Sequence, residues 1–354
     1  MTPSDIARLR LRNQHLHANE HQTPAALVRW MGAVQAQDFA MAKWALGIRM
    51  PGCTDDAVEQ ALNRGDIIRT HILRPTWHFV VPEDLPWLLD LTGRSIGNAL
   101  RWGDSRLGLK DEMVTRSTRL IEHALRDGAA LNREEIAGLL HPAGIPTDEN
   151  RLSHLLMHAE INRVIRTGPR RGKQFTYVRL DLPAVPVRSR EENLAALALR
   201  YFTSHGPASL ADFNWWSGLS AGEARAGLEA VSGQLEEIRL DGQSFWFVPD
   251  ALSVVSSPRQ VFLLPAFDEY LISYRSRHVS LDPAFTSTSI SSNGIFYPVI
   301  VADGQVQGTW KRTVKKNSVL VQPQFFKKMP EPAFLAEALA QFGAFLGLKA
   351  EVAA

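Results

Sequence analysis

The 354-residue sequence predicts an α+β fold built from three similar units and a small C-terminal domain rich in β-strands. Three helical segments followed by a β-hairpin occur three times along the chain. Asp-Gly dipeptides, which favour tight hairpin turns, occur between apolar strand patterns. After about residue 258, short apolar strands and one closing helix replace that order. Because three helices and a two-stranded wing define a winged helix-turn-helix, we expect three tandem winged-helix units.

The first winged-helix unit is expected at residues 1–82. Thr23 is the expected N-cap of a helix whose first residue is Pro24. Gly65 is expected to end a later helix. β-Branched and aromatic residues predict the hairpin. The three helices and the hairpin are expected, in order, at Asp5–Arg12, Pro24–Val34, Asp55–Arg64 and Ile67–Val81. Residues 83–111 are expected to be a connector.

The second winged-helix unit is expected at residues 112–186 and the third at residues 187–250. Asn132 is the expected N-cap of a helix with an acidic first turn. The helices of the second unit are expected at Glu112–Arg126, from Asn132 onwards and at Glu149–Glu160. Its two strands are expected at Val164–Thr167 and Gln174–Arg179. Those of the third are expected at Glu191–Ser204, Ser209–Trp216, Ser220–Ser232, Leu235–Leu240 and Ser244–Val248. Linkers are expected at Leu182–Arg188 and Asp250–Pro258.

The C-terminal domain, expected at residues 258–354, alternates short apolar strands with turns. Asp303-Gly304 predicts a tight hairpin turn, and Pro332–Leu346 predicts a closing helix. The strands are expected at Val261–Leu264, Tyr270–Tyr274, Ile295–Val301, Val306–Thr309 and Ser318–Val321.

Composition excludes several classes of protein. The single cysteine, Cys53, cannot form an internal disulfide, and the basic, amphipathic N-terminus lacks a signal-peptide core, so a cytoplasmic, nucleoid-associated location is expected. The apolar runs are too short to cross a bilayer. No zinc-type motif, acidic metal cluster, phosphate-binding loop or nucleophile elbow is present. His154 and His158 share a helix face but lack a third ligand, so neither a metal nor a cofactor is expected.

Positive charge is concentrated in two runs although the net charge is only +2. Residues 163–173 and 310–316 contain arginines and lysines and no acidic residue. Each run lies beside a predicted hairpin, which favours contact with DNA phosphates over an ordinary solvated basic loop. The expected phosphate contacts are Arg170, Arg171, Lys173, Lys311, Arg312, Lys315 and Lys316.

The segment Val34–Asp38 contains two glutamines two residues apart, Gln35 and Gln37. Within a helix such residues point to nearly opposite faces, whereas in extended chain they point the same way. The two amides can therefore act together only if the preceding helix ends here. The alternative is a pair of solvated glutamines without a common role.

Four motifs in order resemble one family. The motifs are Gln35-Ala-Gln37, Arg74-Pro-Thr-Trp-His78, Leu263–Arg277 and Gly308-Thr-Trp-Lys-Arg312. Together they resemble the AlkZ/YcaQ-type winged-helix DNA glycosylases, and the resemblance extends over residues 5 to 347. The resemblance implies three winged-helix motifs with a small β-domain. It also implies excision of alkylated purines, especially N7-alkylguanine, and in some members the unhooking of interstrand crosslinks. By resemblance, Gln35 and Gln37 hold the attacking water.

Less specific roles are expected for the other residues in and beside these motifs. Arg74, Trp77 and His78 on the first wing are expected to contact DNA or line a lesion pocket, although Trp77 also fits plain core packing. Asp38 could contribute electrostatically beside the glutamines. Asp268 is expected to organise the β-domain or the pocket rim, or simply to form a turn.

Two functions therefore compete at the level of sequence. The first is a monofunctional DNA glycosylase that acts on damaged or crosslinked double-stranded DNA. The second is a non-catalytic winged-helix protein that binds or regulates DNA. A regulator normally reads a palindrome as a symmetric dimer, whereas three units in one chain need no such symmetry. A monomeric enzyme is accordingly favoured.

Overall fold

The computed structural model describes residues 2–17, 21–181, 188–249, 260–327 and 331–353. The chain divides into two compact units. We call residues 1–59 together with 194–354 the larger lobe, and residues 60–193 the smaller lobe. The linkers predicted at 182–188 and 250–258 lie, except for Arg188, outside the described residues.

The N-terminal part of the larger lobe contains an unpredicted helix. Its elements are α1 Pro3–Asn13, α2 Pro24–Met31, β1 Val34–Gln35, α3 Phe39–Gly47 and the start of α4 Asp55–Arg64. Thr23 caps α2 as expected, but the helix ends at Met31 because Gly32 adopts a φ of 78°. Asp38 then caps α3 by accepting from the N–H of Met41 at 3.0 Å. The segment between α2 and α3 is therefore not helical.

The smaller lobe consists of a β-hairpin, four helices and a second small sheet. Its elements are β2 Ile68–Ile72, β3 Thr76–Val80, α5 Leu85–Arg106, α6 Asp111–Ala124, β4 Ala130–Asn132, α7 Arg133–Leu140, α8 Arg151–Ile161, β5 Ile165–Arg171 and β6 Gln174–Arg179. Strands β2 and β3 pair antiparallel, and the second sheet has the order β4-β6-β5. Asn132 caps α7, as the sequence predicted, and also forms a reciprocal capping box with Glu135.

A long helix occupies the region that the sequence analysis treated as a connector. Helix α5 has 22 residues, and its buried Leu88, Ile96 and Leu100 follow helical spacing. Helices α6, α7 and α8 with strands β5 and β6 enclose a separate hydrophobic core that includes Ile121 and Leu155. Three helices followed by this two-stranded wing agree with the order predicted for a winged helix.

The rest of the larger lobe begins with a second set of three helices and a hairpin. These elements are α9 Arg190–Ser204, α10 Leu210–Ser217, α11 Ala221–Val231, β7 Glu236–Leu240 and β8 Gln243–Phe247. Ser209 and Ser220 cap α10 and α11, each in a capping box. Asp241 and Gly242 both have positive φ, as the predicted hairpin turn requires.

A five-stranded sheet and a closing helix complete the larger lobe. The elements are β9 Val261–Leu264, α12 Glu269–Ile272, α13 Thr286–Ser289, β10 Val299–Ala302, β11 Gln305–Val314, β12 Ser318–Phe325, α14 Pro332–Leu346 and β13 Lys349–Val352. The strand order is β13-β12-β11-β10-β9, and β13 runs parallel to β12. The strand predicted at Tyr270–Tyr274 is wrong: this segment begins with the short helix α12, because Asp268 caps it.

The mixed α+β class predicted from sequence is confirmed, whereas the number of winged-helix units stays a prediction. Within the described residues, no helix combines the length and the apolar character needed to cross a membrane.

Candidate functional site

The two predicted catalytic glutamines lie in the non-helical segment between α2 and α3. Gln35 belongs to β1 and is only 4% exposed, whereas Gln37 is exposed at the surface two residues later. Gly32 ends α2 before this segment, and Asp38 begins α3 after it. The helix thus ends where the sequence argument required it to end. One amide is held within the protein and the other reaches solvent.

A buried carboxylate holds the main chain at Gln35. Oε1 of Glu269 accepts the N–H of Gln35 at 2.5 Å, and Oε2 accepts a hydrogen bond from the hydroxyl of Ser273. His205 Nε2 lies 3.6 Å from Oε2. Burial raises the pKa of Glu269, but nearby His205 and the hydrogen bonds from Ser273 and Gln35 outweigh it and lower that pKa to about 2. The carboxylate is therefore ionised at neutral pH.

The neighbouring carboxylate, Asp268, is held by a fully buried arginine. Arg49 donates to both oxygens of Asp268, at 2.8 Å and 2.9 Å. Its other N–H groups donate to the main-chain and side-chain oxygens of Gln14 and to the main-chain oxygen of Ala45. All five guanidinium N–H groups therefore have partners. Asp268 also accepts from the N–H of Tyr270, so it organises the start of α12 and is not a pocket residue open to solvent.

The first wing does not present all of its predicted DNA contacts. His78 is 1% exposed, and its Nδ1 lies 2.9 Å from the carbonyl oxygen of Thr76. Trp77 is half-buried, packs against the core of the smaller lobe and lies 3.8 Å from the ring of His71, centroid to centroid. The side chain of His78 is therefore not open to solvent, and its predicted role at DNA or in a lesion pocket stays a prediction. The packing of Trp77 agrees with the core-packing interpretation. Arg74 is half-buried, and its contact with DNA stays a prediction.

The basic turn of the smaller lobe lies at the tip of β5 and β6. Arg171 and Lys173 are exposed and Arg170 is half-buried. Arg171 forms an ion pair with Glu135 at 2.7 Å, and the guanidinium of Arg170 lies 5.1 Å from the ring centre of Phe175. The wing thus presents cationic side chains, one of them already partly neutralised by a carboxylate.

The second basic run lies on the hairpin of β11 and β12 in the larger lobe. Lys311, Lys315 and Lys316 are exposed. Arg312 is half-buried and donates to Sδ of Met41 on α3. Burial lowers the pKa of Arg312, and the negative charge of Asp38 opposes that change. Arg312 therefore connects this hairpin to the helix that begins directly after the two glutamines.

The histidine pair predicted to share a helix face binds a carboxylate. His154 Nδ1 lies 2.7 Å from Oδ1 of Asp104, and His158 Nε2 lies 2.8 Å from Oδ2 of the same residue. Among the described ranges, no group of three or more histidine, cysteine, aspartate or glutamate side chains could hold a metal ion. Asp104 was not predicted as the partner of this pair because it lies in the stretch assigned to a connector.

Glu269 and Arg49 were also missed by the sequence analysis. Glu269 directly follows Asp268 within the quoted motif Leu263–Arg277, and two adjacent acids in an otherwise apolar stretch are a signal that could have identified it. Arg49 follows the apolar helix α3 and carries no comparable signal.

Comparison with known proteins gives consistent matches. The family model described as DNA glycosylase AlkZ-like matches residues 28–347. An interstrand DNA cross-link repair glycosylase of Streptomyces sahachiroi is 24% identical over 322 residues, covering 85% of this chain and 85% of that protein. The solved structure of Streptomyces sahachiroi DNA glycosylase AlkZ has a TM-score of 0.81 and 22% identity, covering 100% of both chains. At this identity the structural likeness shows the fold alone.

Proposed function

Because the chain belongs to the AlkZ-like DNA glycosylase family, we propose that it hydrolyses the N-glycosidic bond of N7-alkylated purines in double-stranded DNA. In this proposal Gln35 and Gln37 position the attacking water. The observation that carries it is the end of α2 at Met31, which leaves both glutamines outside a helix. Gln35 is buried, and the exposed Gln37 can reach a bound duplex.

Uncharged amides are chemically sufficient for this class of substrate. Alkylation at N7 gives guanine a positive charge, so the base leaves as a neutral molecule and needs no strong general acid. The remaining task is to place water against a sugar that develops oxocarbenium character. An amide donates through its NH₂ and accepts through its oxygen, so two of them orient one water. The segment 34–38 contains no lysine, which fits hydrolysis without a Schiff-base step.

The relative from Streptomyces sahachiroi is named for the repair of interstrand DNA cross-links. We extend this substrate class to the present chain as part of the proposal. A crosslinked purine alkylated at N7 carries the same positive charge, so its glycosidic bond is weakened in the same way.

Three winged-helix units in one chain would bind the duplex as a monomer. The exposed lysines of the β11–β12 hairpin and the basic turn of β5 and β6 are the proposed phosphate contacts. Lys315 and Lys316 lie in the turn between β11 and β12, and the basic turn lies at the tip of β5 and β6, where side chains can approach a DNA backbone.

The direct test is incubation of the protein with a duplex that carries a single 7-methylguanine. We expect release of the free base and an alkali-labile abasic site, without strand cleavage by the protein itself. The same duplex with guanine at that position is the control and should remain intact. Binding of the duplex without release of any base would refute the enzymatic proposal and support a non-catalytic DNA-binding protein.

The exposed lysines make a separate, measurable contribution. Replacing Lys315 and Lys316 by glutamine should reduce the slope of log affinity against log salt by about 0.9 for each lost phosphate contact. Fluorescence anisotropy at several salt concentrations measures this slope. Lys327→Gln is a matched control, since Lys327 lies beyond the opposite end of β12 and pairs with Asp282. An unchanged slope in the double variant would remove this hairpin from the DNA interface.

A further inference from the structure

We infer that Glu269 is a positioning residue for the reaction, because its carboxylate fixes the main chain from which the amide of Gln35 projects. This inference rests on the proposed function and extends it to a residue that never touches the substrate. Its basis is the contact between the N–H of Gln35 and Oε1 of Glu269, which joins residues 234 positions apart.

The contact is buried and charge-assisted. Glu269 is 1% exposed and Gln35 is 4% exposed. A hydrogen bond between a backbone N–H and a carboxylate is stronger than one between neutral groups, and its loss leaves a buried donor unsatisfied. The position of this N–H sets the position of the Gln35 Cα, and hence of its side chain.

Glu269 is itself held on several sides. Ser273 donates to its second oxygen, and the carboxylate of Asp268 starts the helix that carries it. Arg49 in turn binds Asp268 through two hydrogen bonds. Between Gly32, which ends α2, and Asp38, which caps α3, the main chain of the glutamine segment is thus held at Gln35 by a distant part of the chain.

The surroundings of Glu269 keep its carboxylate ionised, so that both oxygens can accept hydrogen bonds. His205 lies beside it; burial lowers the pKa of that imidazole by more than the carboxylate of Glu269 raises it. The positive charges of Arg49 and Arg10 act in the same direction on His205. The ionised carboxylate accepts from both Gln35 and Ser273.

The geometric requirement gives an expected magnitude. A displacement of about 1 Å at a positioning group costs on the order of 100-fold in rate. Glu269→Ala removes the acceptor and should lower the single-turnover rate of 7-methylguanine release by about that factor. Glu269→Gln retains an oxygen that can accept from Gln35 and should recover most of the lost rate. The affinity for the duplex should be unchanged in both variants.

The experiment compares the two variants in the full chain. Single-turnover rates are normalised to the folded fraction, DNA affinity is measured separately, and hydrogen exchange of the peptide containing Gln35 is followed by mass spectrometry. The matched control is Asp212→Asn. Asp212 is also fully buried in the larger lobe and accepts backbone N–H groups, from Arg275 and Ser276, but it has no contact with the glutamine segment in the described structure.

Faster exchange at Gln35 and a slow Glu269→Ala enzyme that Glu269→Gln restores would support the inference. The inference is overturned if Glu269→Ala and Asp212→Asn lose normalised rate equally, or if exchange at Gln35 does not change. If wild type releases no base, the proposed function fails, and the exchange measurement still decides whether Glu269 fixes the segment.

Discussion

Replacing Gln35 and Gln37 together by alanine is expected to lower the single-turnover rate of 7-methylguanine release by roughly 10²–10⁴-fold. The two amides would hold one water, so removing either leaves the water without a defined orientation. We therefore expect each single variant to lose most of what the double variant loses, because residues that act as a unit are not additive. The affinity for the duplex should stay close to that of wild type.

The different environments of the two glutamines provide a further expectation. Gln37 is exposed, so Gln37→Ala should leave the free energy of unfolding unchanged. Gln35 is buried, so Gln35→Ala should reduce both the rate and the stability. Gln234→Ala, at an exposed glutamine of the same lobe, is the control for rate and stability.

The rates would be measured by quantifying abasic sites under enzyme excess, and stability by equilibrium urea unfolding. A double variant that excises 7-methylguanine at the wild-type rate would exclude both residues from the chemistry. The family assignment would remain, and the water would then have to be held by other groups.

Local sequence signals predicted most helix boundaries. Thr23 and Asn132 were predicted as N-caps, and Ser209 and Ser220 are the first residues of predicted helices. Each accepts a hydrogen bond from a backbone N–H three residues later. Such bonds depend only on neighbouring residues, so they can be read from the sequence. The Asp-Gly turns followed the same logic, since both residues tolerate positive φ.

Helix α5, which was assigned to a connector, contains three glycines. Gly93, Gly97 and Gly103 lower the intrinsic helix propensity of this segment. In the structure, a Cβ at Gly103 would lie only 2.5 Å from the ring of His154 on α8, so any side chain there would require that ring to move. That requirement is tertiary and leaves no local signal.

The site shows the same division between local and distant information. The family suggested by four short motifs is confirmed by the match over residues 28–347. The end of α2 before the glutamines follows from Gly32, a local feature. The partners of this segment do not, because Glu269 and Gln35 lie 234 positions apart and Arg49 and Asp268 lie 219 apart. Nothing in one stretch of sequence specifies which distant stretch it will meet.

Removing the buried guanidinium of Arg49 should have the largest effect on stability. Arg49→Met leaves the carboxylate of Asp268 buried without its cation, which should lower the free energy of unfolding by about 3–5 kcal/mol. Arg49→Lys keeps the charge but has only three N–H donors for contacts that now use five, so it should also destabilise, though less. Equilibrium urea unfolding, followed by tryptophan fluorescence, measures these differences.

An exposed ion pair of the same lobe is the control. The side chain of Arg239 is 78% exposed beside Glu237, so Arg239→Met should change the free energy of unfolding by no more than about 1 kcal/mol. A similarly small loss in Arg49→Met would contradict the importance assigned to the buried pair.

The double variant Arg49→Met with Asp268→Asn separates the two causes of that loss. If the cost arises from an unpaired buried charge, neutralising Asp268 should recover part of the stability, because asparagine still accepts from the N–H of Tyr270. If instead the guanidinium acts mainly by joining Gln14 and Ala45, the second substitution should recover nothing. A recovery would mean that Arg49 is needed chiefly to allow a carboxylate to begin α12, the helix that carries Glu269 to Gln35.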